Sequence, residues 1–498
     1  MESELVGLIA AAGPGTRLYP EARKKTKVLL TVDGRSLLAR NVDIMSRHMG
    51  IRTLFIITGK NRECIEQELS HGAYRDLTIR YIENSEPEKG LAHGVSLAGP
   101  HISGTFCLML GDELYLDSSH EALAHSAHDD FSAVCLVKPG ANPREIRKNY
   151  AVEIKDNRVV ALREKPQVVT NDILGCGTFL LKPDIFEAIR LTAPSVRTGK
   201  VELIDALDLL IRQGKTVLPF FSSGTYVNVN TADDLNQANH AVRTEKFEEK
   251  RISLVIPSFN EEDSIGHVID DFKNKVHEII VADNQSSDST AEIARRRGAK
   301  VYSAALRGYG HAIRYGMDKA EGDILVITEA DGSFKARDLG KLLEYMKDAD
   351  MVLGTRTTKQ MIQQGANMTL FLRFGNAAVA KIIEVLWWSR HEPRLTDVGC
   401  TFRAIWADAY HRIKDDLNED GPSFSPEMII EPIRHYQRII EIPVSYHGRI
   451  GGESKHSGNL KASLRTGLSM LYLIFRKKLR SVVIDDILPF FTNGKRKG

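Results

Sequence analysis

The chain has 498 residues, 42% hydrophobic and 27% charged, enough for two or three domains at about 100–200 residues each. Its 67 Lys and Arg nearly offset its 65 Asp and Glu, leaving a formal net charge of +2, which removes the strongly basic field of a dedicated nucleic-acid binder. Five scattered cysteines (Cys64, Cys107, Cys135, Cys176 and Cys400), odd in number and never in C-x-x-C spacing, argue against a disulfide framework or a zinc site and for a reducing, cytoplasmic setting. In chain order, apolar β-branched runs at residues 5–11, 53–58 and 105–110, then 254–257, 278–282 and 323–328, are separated by longer helical patterns. Strands alternating with helices predict an α/β fold with mainly parallel sheets. Residues 240–251 (HAVRTEKFEEKR) are charged and lose their apolar periodicity before a fresh buried-strand pattern, ISLVIPSFN. The expected domains are therefore 1–243 and 250–460, with a basic tail at 461–498. In each half a first strand runs into a loop bearing functional groups, and a later apolar strand ends in acid, LMLGDE in one and LVITEAD in the other. Ligands in open α/β sheets bind beyond the carboxyl ends of strands, so these are the places for chemistry.

In the N-terminal half, VGLIAAA is followed by Gly13, Gly15, Thr16 and Arg17, then Lys24, Lys25 and Lys27. Glycines let backbone N–H groups close on phosphate oxygens, and the cations neutralise charge on an attacked α-phosphate. A tight strand-to-helix turn uses the same glycines. Asp112 ends the strand FCLMLGD, where a carboxylate can hold Mg2+ against a triphosphate or cap a turn.

This half resembles the sugar-1-phosphate nucleotidyltransferases. AAGPGTRLYP with Lys27 matches their G-x-G-T-R-x-x-P…K element, LGD their metal aspartate, Lys89-Gly90-Leu91-Ala92 their base-contacting stretch, Arg163-Glu164-Lys165-Pro166 their E-K-P, and YVNVNTADDL their W-x-D-[VI]-x-T-P-x-D-[LY]. The resemblance implies that Ala11 and the loop Gly13 to Arg17 hold the nucleoside triphosphate, with Gly90 near the base. It gives Arg17 and Lys27 to the reacting phosphate, Glu164 and Lys165 to the sugar and its phosphate, and Asp112 with Asn228 to Mg2+ or Mn2+. Two departures stand out: Thr26 replaces a proline, and Asn228 stands where many members carry a second metal-binding aspartate. An amide oxygen can still ligate Mg2+; the alternative is a module that binds nucleotide without turning it over. If active, the sugar-1-phosphate oxygen attacks the α-phosphate in line and pyrophosphate leaves, by positioning and charge neutralisation.

In the C-terminal half, SLVIPSFNEED delivers Asn260, Glu261 and Glu262 at a strand end, EIIVADNQSSDST delivers Asp283, and DILVIT is followed by Glu329-Ala330-Asp331. Singly, such acids serve equally as helix caps; two carboxylates at i and i+2 can also share a divalent cation under a nucleoside diphosphate. VIPSFNEE, VADNQSSDST, Arg307-Gly308-Tyr309-Gly310, EAD in place of D-x-D, TDVGCTFRA and IPVSYHGRIGGESK together resemble family 2 inverting glycosyltransferases of GT-A fold, closest to polyprenyl-phosphate sugar synthases. The resemblance implies two tandem GT-A/Rossmann-like domains. It puts Pro257, Glu261, Asp283 and Arg307 at the nucleotide, and Glu329 and Asp331 at the metal. Asp397 and Arg403 fall on the acceptor or diphosphate side, and Arg449, Ser454 and Lys455 close over phosphate. A phosphate acceptor needs no strong base; for a hydroxyl acceptor Asp397 or Glu427 could serve.

Residues 377–388 (AAVAKIIEVLWW) read as a core helix, and Leu460, Leu464, Leu468 and Leu471 recur at helical spacing beside Arg476, Lys477, Lys478 and Arg480. Such a basic amphipathic helix suits an anionic membrane surface or a packed interface. Acidic residues among 1–5 stand where a secretory signal would be basic, and no uncharged apolar run approaches the roughly 18 residues of a membrane span. His93, His311, His447 and His456 have no partners at metal spacing. The expectation is a bifunctional cytoplasmic enzyme, peripheral at the membrane at most. It would make a nucleotide-sugar from an NTP and a sugar-1-phosphate and pass the sugar, with inversion, to an acceptor such as a polyprenyl phosphate. The rivals are a noncatalytic first domain and a soluble acceptor; base, sugar and homo-oligomeric state stay open.

Overall fold

The computed structural model describes residues 4–13, 26–70, 74–128, 130–304, 306–366, 368–388, 393–451 and 460–481. The chain divides into two compact units, Met1–Val242 and Arg243–Gly498.

In the first unit the strands are β1 (Val6–Ala10), β2 (Thr53–Thr58), β3 (Thr78–Glu83), β4 (Phe106–Leu110), β5 (Glu113–Leu116), β6 (Ala133–Lys138), β7 (Tyr150–Lys155), β8 (Arg158–Glu164), β9 (Leu174–Leu181), β10 (Val217–Phe221) and β11 (Thr225–Asn228). Nine of them form one sheet in the order β8-β7-β9-β4-β1-β2-β3, with β6 on β9 and β10 on β6. β1 lies parallel to both β2 and β4, whereas β9 runs antiparallel to β4, so the sheet is mixed. Covered on both faces, β1 reads as an unbroken apolar run and not as an alternation. Helices α1 (Leu91–Ser96) and α2 (Leu203–Arg212) press Ala92, Val95, Leu203, Leu207 and Leu210 against Leu8, Phe55 and Leu108; each such buried large apolar side chain contributes about 1.5–3 kcal/mol. β5 and β11 form a separate antiparallel pair, with Asn228 opposite Glu113 and Tyr226 opposite Tyr115.

Strand order reverses about β1, which opens a crevice beyond the carboxyl ends of β1 and β4. Gly111 lets these ends approach: a Cβ there would sit 2.8 Å from Val28 Cγ1 and 2.9 Å from the Ala10 carbonyl oxygen. Asp112 follows immediately.

The second unit repeats the device. Its sheet contains β12 (Ile252–Ser258), β13 (Glu278–Asp283), β14 (Lys300–Ser303), β15 (Ile324–Ile327), β16 (Met351–Thr355), β17 (Arg403–Trp406) and β18 (Ile439–Pro443), in the order β14-β13-β12-β15-β17-β16-β18. Only β17 runs against its neighbours. β12 lies between β13 and β15 and parallel to both, so the crevice opens where Ser258 and Ile327 end. Helices α3 (Ile265–Phe272), α4 (Tyr309–Asp318), α5 (Leu370–Leu386), α6 (Phe424–Arg434) and α7 (Leu460–Ser481) close the layers. Trp387 and Trp406 are fully buried, but Val385 and Trp388 are exposed, so residues 377–388, read as a core helix, bury one face and leave the other at the surface. α7 is part of this unit, and no helix among the described residues is long and apolar enough to cross a membrane.

Candidate active sites

In the first unit a cavity of about 240 Å³ lies at the switch point, lined by Ala10, Ala12, Gly13, Lys27, Asn84, Gly90 and Asp112 among others. Expected residues from distant parts of the chain thus meet here. Gly15, Thr16 and Arg17, with Lys24 and Lys25, lie outside the described residues. Lys27 enters on the short turn Lys27–Leu29; its Nζ donates to Asp112 Oδ2 and to Asn230 Oδ1 at 2.8 Å. From there carboxamides continue the line: Asn230 Nδ2 donates to Asn228 Oδ1 (2.7 Å) and Asn228 Nδ2 to Asn149 Oδ1 (2.5 Å). The Asn149 carbonyl in turn accepts from the Lys165 backbone N–H at 2.7 Å, which holds Lys165 at a positive φ of 45°. Lys165 Nζ lies 3.4 Å from Glu164 Oε1, whose carboxyl burial pushes up in pKa. Lys27, Asp112, Asn228 and Lys165 are therefore one polar line, running from the crevice toward the side assigned to sugar phosphate.

Gly90 has φ 101° and takes a Cβ only at 3.3 Å from Lys200, so glycine suits both its backbone and its crowding. Asn84, absent from the sequence reading, is buried and fixed by accepting the Glu86 N–H at 3.0 Å; a side-chain amide on a cavity wall offers both a donor and an acceptor to a base. Besides Lys27 Nζ, Asp112 has the carboxamide oxygens of Asn228 and Asn230 along the same line, and oxygens of this kind suit a hard divalent cation shared with phosphates.

In the second unit a cavity of about 380 Å³ is lined by the polar Tyr309, Glu329, Arg356, Asn376, Thr401 and Arg449 and by apolar side chains of α5 and α7, including Leu372, Val379, Leu468 and Leu471. Glu329 Oε1 accepts from Thr401 Oγ1 at 2.8 Å. Burial, then the neighbouring Asp331 charge, raise its pKa to about 7. Asp331 is tighter: Oδ1 accepts the Ser333 N–H at 2.9 Å. Its Oδ2 is buried without an aligned hydrogen bond, with Arg449 Nε at 2.9 Å. With Glu329 beside it, this buried carboxylate oxygen fits a divalent cation.

Toward the nucleotide side, Asp283 is buried and accepts the Ser286 N–H at 3.3 Å, and Asn284 Oδ1 accepts the Gly308 N–H at 3.1 Å. Arg307 reaches Gln285 Oε1 at 3.1 Å and lies over the Phe259 ring. Pro257 sits on β12 opposite Ala282. Glu261 stands at the start of α3, its Oε2 accepting from Ser264 Oγ at 3.1 Å. Lys455 and Ser454 lie outside the described residues.

Three expectations meet a different geometry. Asp397 does not line the cavity: its two oxygens accept Arg356 N–H at 3.0 Å, Nε at 2.8 Å and Nη2 at 2.9 Å, plus the Gly399 N–H at 3.0 Å. Burial opposes its charge, but the Arg356 guanidinium overrides this and holds the carboxyl below the usual range. Asp397 thus aims Arg356 and is spent as a base. Arg403 is likewise a brace, buried with Nε on the Cys400 carbonyl (2.6 Å), Nη1 on that of Ser425 (2.8 Å) and Nη2 on that of Val398 (3.0 Å). Glu427 is buried against Lys477 Nζ at 2.7 Å and accepts two loop N–H groups, from Asn418 and Glu419. Arg356, which the sequence reading missed, reaches the cavity alongside Arg449; its signal was the G-T-R following an apolar strand.

Two crevices at sheet switch points, one with a phosphate-loop strand and a lysine on an aspartate, the other with a carboxylate pair under an arginine, define a nucleotidyl-transfer unit and a glycosyl-transfer unit. The chain belongs to the nucleotidyl transferase family over residues 6–245 and to glycosyl transferase family 2 over residues 253–407, and it is an enzyme of both kinds. Over 238 residues it is 30% identical to the UTP–glucose-1-phosphate uridylyltransferase AglF of Haloferax volcanii, covering 48% of this chain and 96% of that protein. The second half is 31% identical over 214 residues to an uncharacterized glycosyltransferase of Mycobacterium tuberculosis, covering 43% of this chain and 93% of the relative. It is also 31% identical over 208 residues to the low-salt glycan biosynthesis hexosyltransferase Agl6 of H. volcanii, 40% of this chain but only 48% of Agl6.

Proposed function

We propose that the first unit condenses an NTP with a sugar-1-phosphate and that the second passes the sugar, with inversion, to a polyprenyl phosphate at a membrane surface. In the first step Gly13 and the loop after it cradle the triphosphate, Lys27 neutralises the attacked α-phosphate, and Lys165 holds the sugar phosphate in line. A divalent cation held by Asp112 and Asn228 would supply charge neutralisation on the phosphates. In the second unit Arg449 neutralises the leaving diphosphate beside Asp331, and Arg356, aimed by Asp397, holds an anionic acceptor. A phosphate acceptor is already an anion near neutral pH, so the spent Asp397 is no obstacle.

The observation that carries this reading is the mixed lining of one cavity, which brings Arg356 and Arg449 together with Leu372, Val379, Leu468 and Leu471. It suits an acceptor with a charged head and an apolar tail. Around it Phe371, Phe374, Leu464, Leu468, Tyr472 and Phe475 are exposed, more apolar surface than scattered residues account for. The experiment offers four NTPs and a panel of sugar-1-phosphates with Mg2+ and measures pyrophosphate release, with Asp112→Ala as control. The product is then offered to the second unit with polyprenyl phosphate in vesicles or with soluble sugars. One NTP–sugar pair, an inert Asp112→Ala and label in the lipid fraction are expected; label only in soluble product overturns the acceptor, and no pyrophosphate overturns the first activity.

A further inference from the structure

Asp112 and Asn228 do not sit on the main sheet of the first unit. They lie at one end of the separate pair β5/β11, joined there by the Val229 N–H on the Asp112 carbonyl at 3.0 Å. Two strands alone are marginal, so something must hold this pair to the main sheet if the two oxygens are to keep a fixed separation.

Glu113 does so. It follows Asp112 in the chain and opposes Asn228 across the pair, so its side chain shares a face with Asn228 and with the opposed Tyr115 and Tyr226. The side chain is fully buried and touches three strands. Oε2 accepts Tyr115 Oη from β5 at 2.5 Å and the Gly177 N–H from β9 of the main sheet at 2.8 Å; Oε1 accepts Tyr226 Oη from β11 at 2.7 Å. β9 has made room for it, since a Cβ on Gly177 would lie 2.5 Å from both carboxylate oxygens. Behind the knot the donors are themselves tied: Thr178 Oγ1 donates to Tyr115 Oη at 3.0 Å and meets His120 Nε2 at 3.2 Å, while His120 Nδ1 meets Ser118 Oγ at 2.6 Å.

All three groups that donate to Glu113 are neutral. Burying a carboxylate on neutral donors is expensive, and an apolar side chain of similar shape would serve a core at less cost. What the carboxylate supplies and a leucine could not is a three-way acceptor that fixes β5, β9 and β11 at one point. We propose that Glu113 is a positioning residue for nucleotidyl transfer, fixing the strand pair that presents Asp112 and Asn228 so that both can serve one divalent cation. This rests on the reading of Asp112 and Asn228 as the metal-holding positions.

The test uses the full chain with Glu113→Gln, which puts an amide N–H2 against hydroxyl or backbone donors, and Tyr226→Phe, which removes only one tie. Mn2+ binding is measured on the metal alone by titration, and pyrophosphate release as a function of Mg2+. For Glu113→Gln the half-saturating Mg2+ and the Mn2+ dissociation constant should rise about 10-fold or more, with the KM for NTP nearly constant at saturating metal. Tyr226→Phe should move both in the same direction by less. A merely structural knot would lower the melting temperature without moving either metal constant, and that result overturns the proposal; if Glu113→Gln does not fold, unchanged metal constants in Tyr226→Phe overturn it alone. If Asp112→Ala itself leaves Mn2+ binding intact, the reading of the metal positions fails, and this proposal with it.

Discussion

Asp397 and Arg356 illustrate the residue scale. The sequence puts a carboxylate in TDVGCTFRA, where a base is chemically reasonable; folding hands it to a guanidinium 41 positions earlier in three hydrogen bonds. Composition and spacing carry no trace of such a pairing, whereas Lys27, Asp112, Gly90 and Lys165 were legible because each closes a strand or turn whose local pattern is strong. Asn84 and Glu113 were not singled out for the converse reason: one lies within the stretch 83–94 expected to set the base but in no motif of its own, the other beside a stronger acid. If Asp397 aims Arg356, Asp397→Asn leaves a buried guanidinium short of a charge. The acceptor KM should rise about 100-fold, equivalent to about 3 kcal/mol, and Arg356→Lys should do the same without adding to it. Were Asp397 the base, kcat would fall at constant KM and the two changes would add; steady-state kinetics of the single and double variants decides.

At the scale of elements, the strand reading and the structure agree to within two residues at each end: 53–58 is Thr53–Thr58 and 323–328 became Ile324–Ile327, because runs buried on both faces are the strongest pattern a parallel sheet writes. The short pair β5/β11 was not legible, being four residues a strand and stabilised from a distance. α7 was visible as a helix but its packed face was not. Leu464 and Leu468 are exposed, while Leu473, Ile474 and Lys477 turn inward. Lys477, 3% exposed, lies 2.7 Å from both Glu427 and Glu431 and donates to the Asp416 carbonyl at 2.8 Å. No hydropathy pattern marks a lysine as a core contact. Lys477→Ala strands buried Glu427, while Glu431 keeps Arg434 at 2.7 Å, and should cost about 3 kcal/mol. All three tryptophans, Trp387, Trp388 and Trp406, lie in the second unit, so the loss should appear as a lower tryptophan-fluorescence midpoint with pyrophosphate release untouched. The double change Lys477→Met, Glu427→Gln should recover much of it.

Across the whole molecule, the two units reach one solution from different sequences: a central parallel strand flanked on both sides by parallel neighbours, a crevice at its carboxyl end, and a basic side chain laid on the acid that follows a neighbouring strand, Lys27 on Asp112 and Arg449 on Asp331. Each crevice holds its own acid and its own cation, so the two chemistries should be separable by single changes. Asp112→Ala should abolish pyrophosphate release yet leave transfer from supplied nucleotide-sugar intact, and Asp331→Ala should do the reverse. Their common product imposes a further constraint. If the first unit's nucleotide-sugar is the second unit's donor, the base admitted beside Asn84 and Gly90 must be the base admitted near Asp283, although these walls share no residues. Ranking the four bases by kcat/KM in each single variant should therefore give the same first choice twice. Different first choices would mean that the second unit draws its donor from another enzyme.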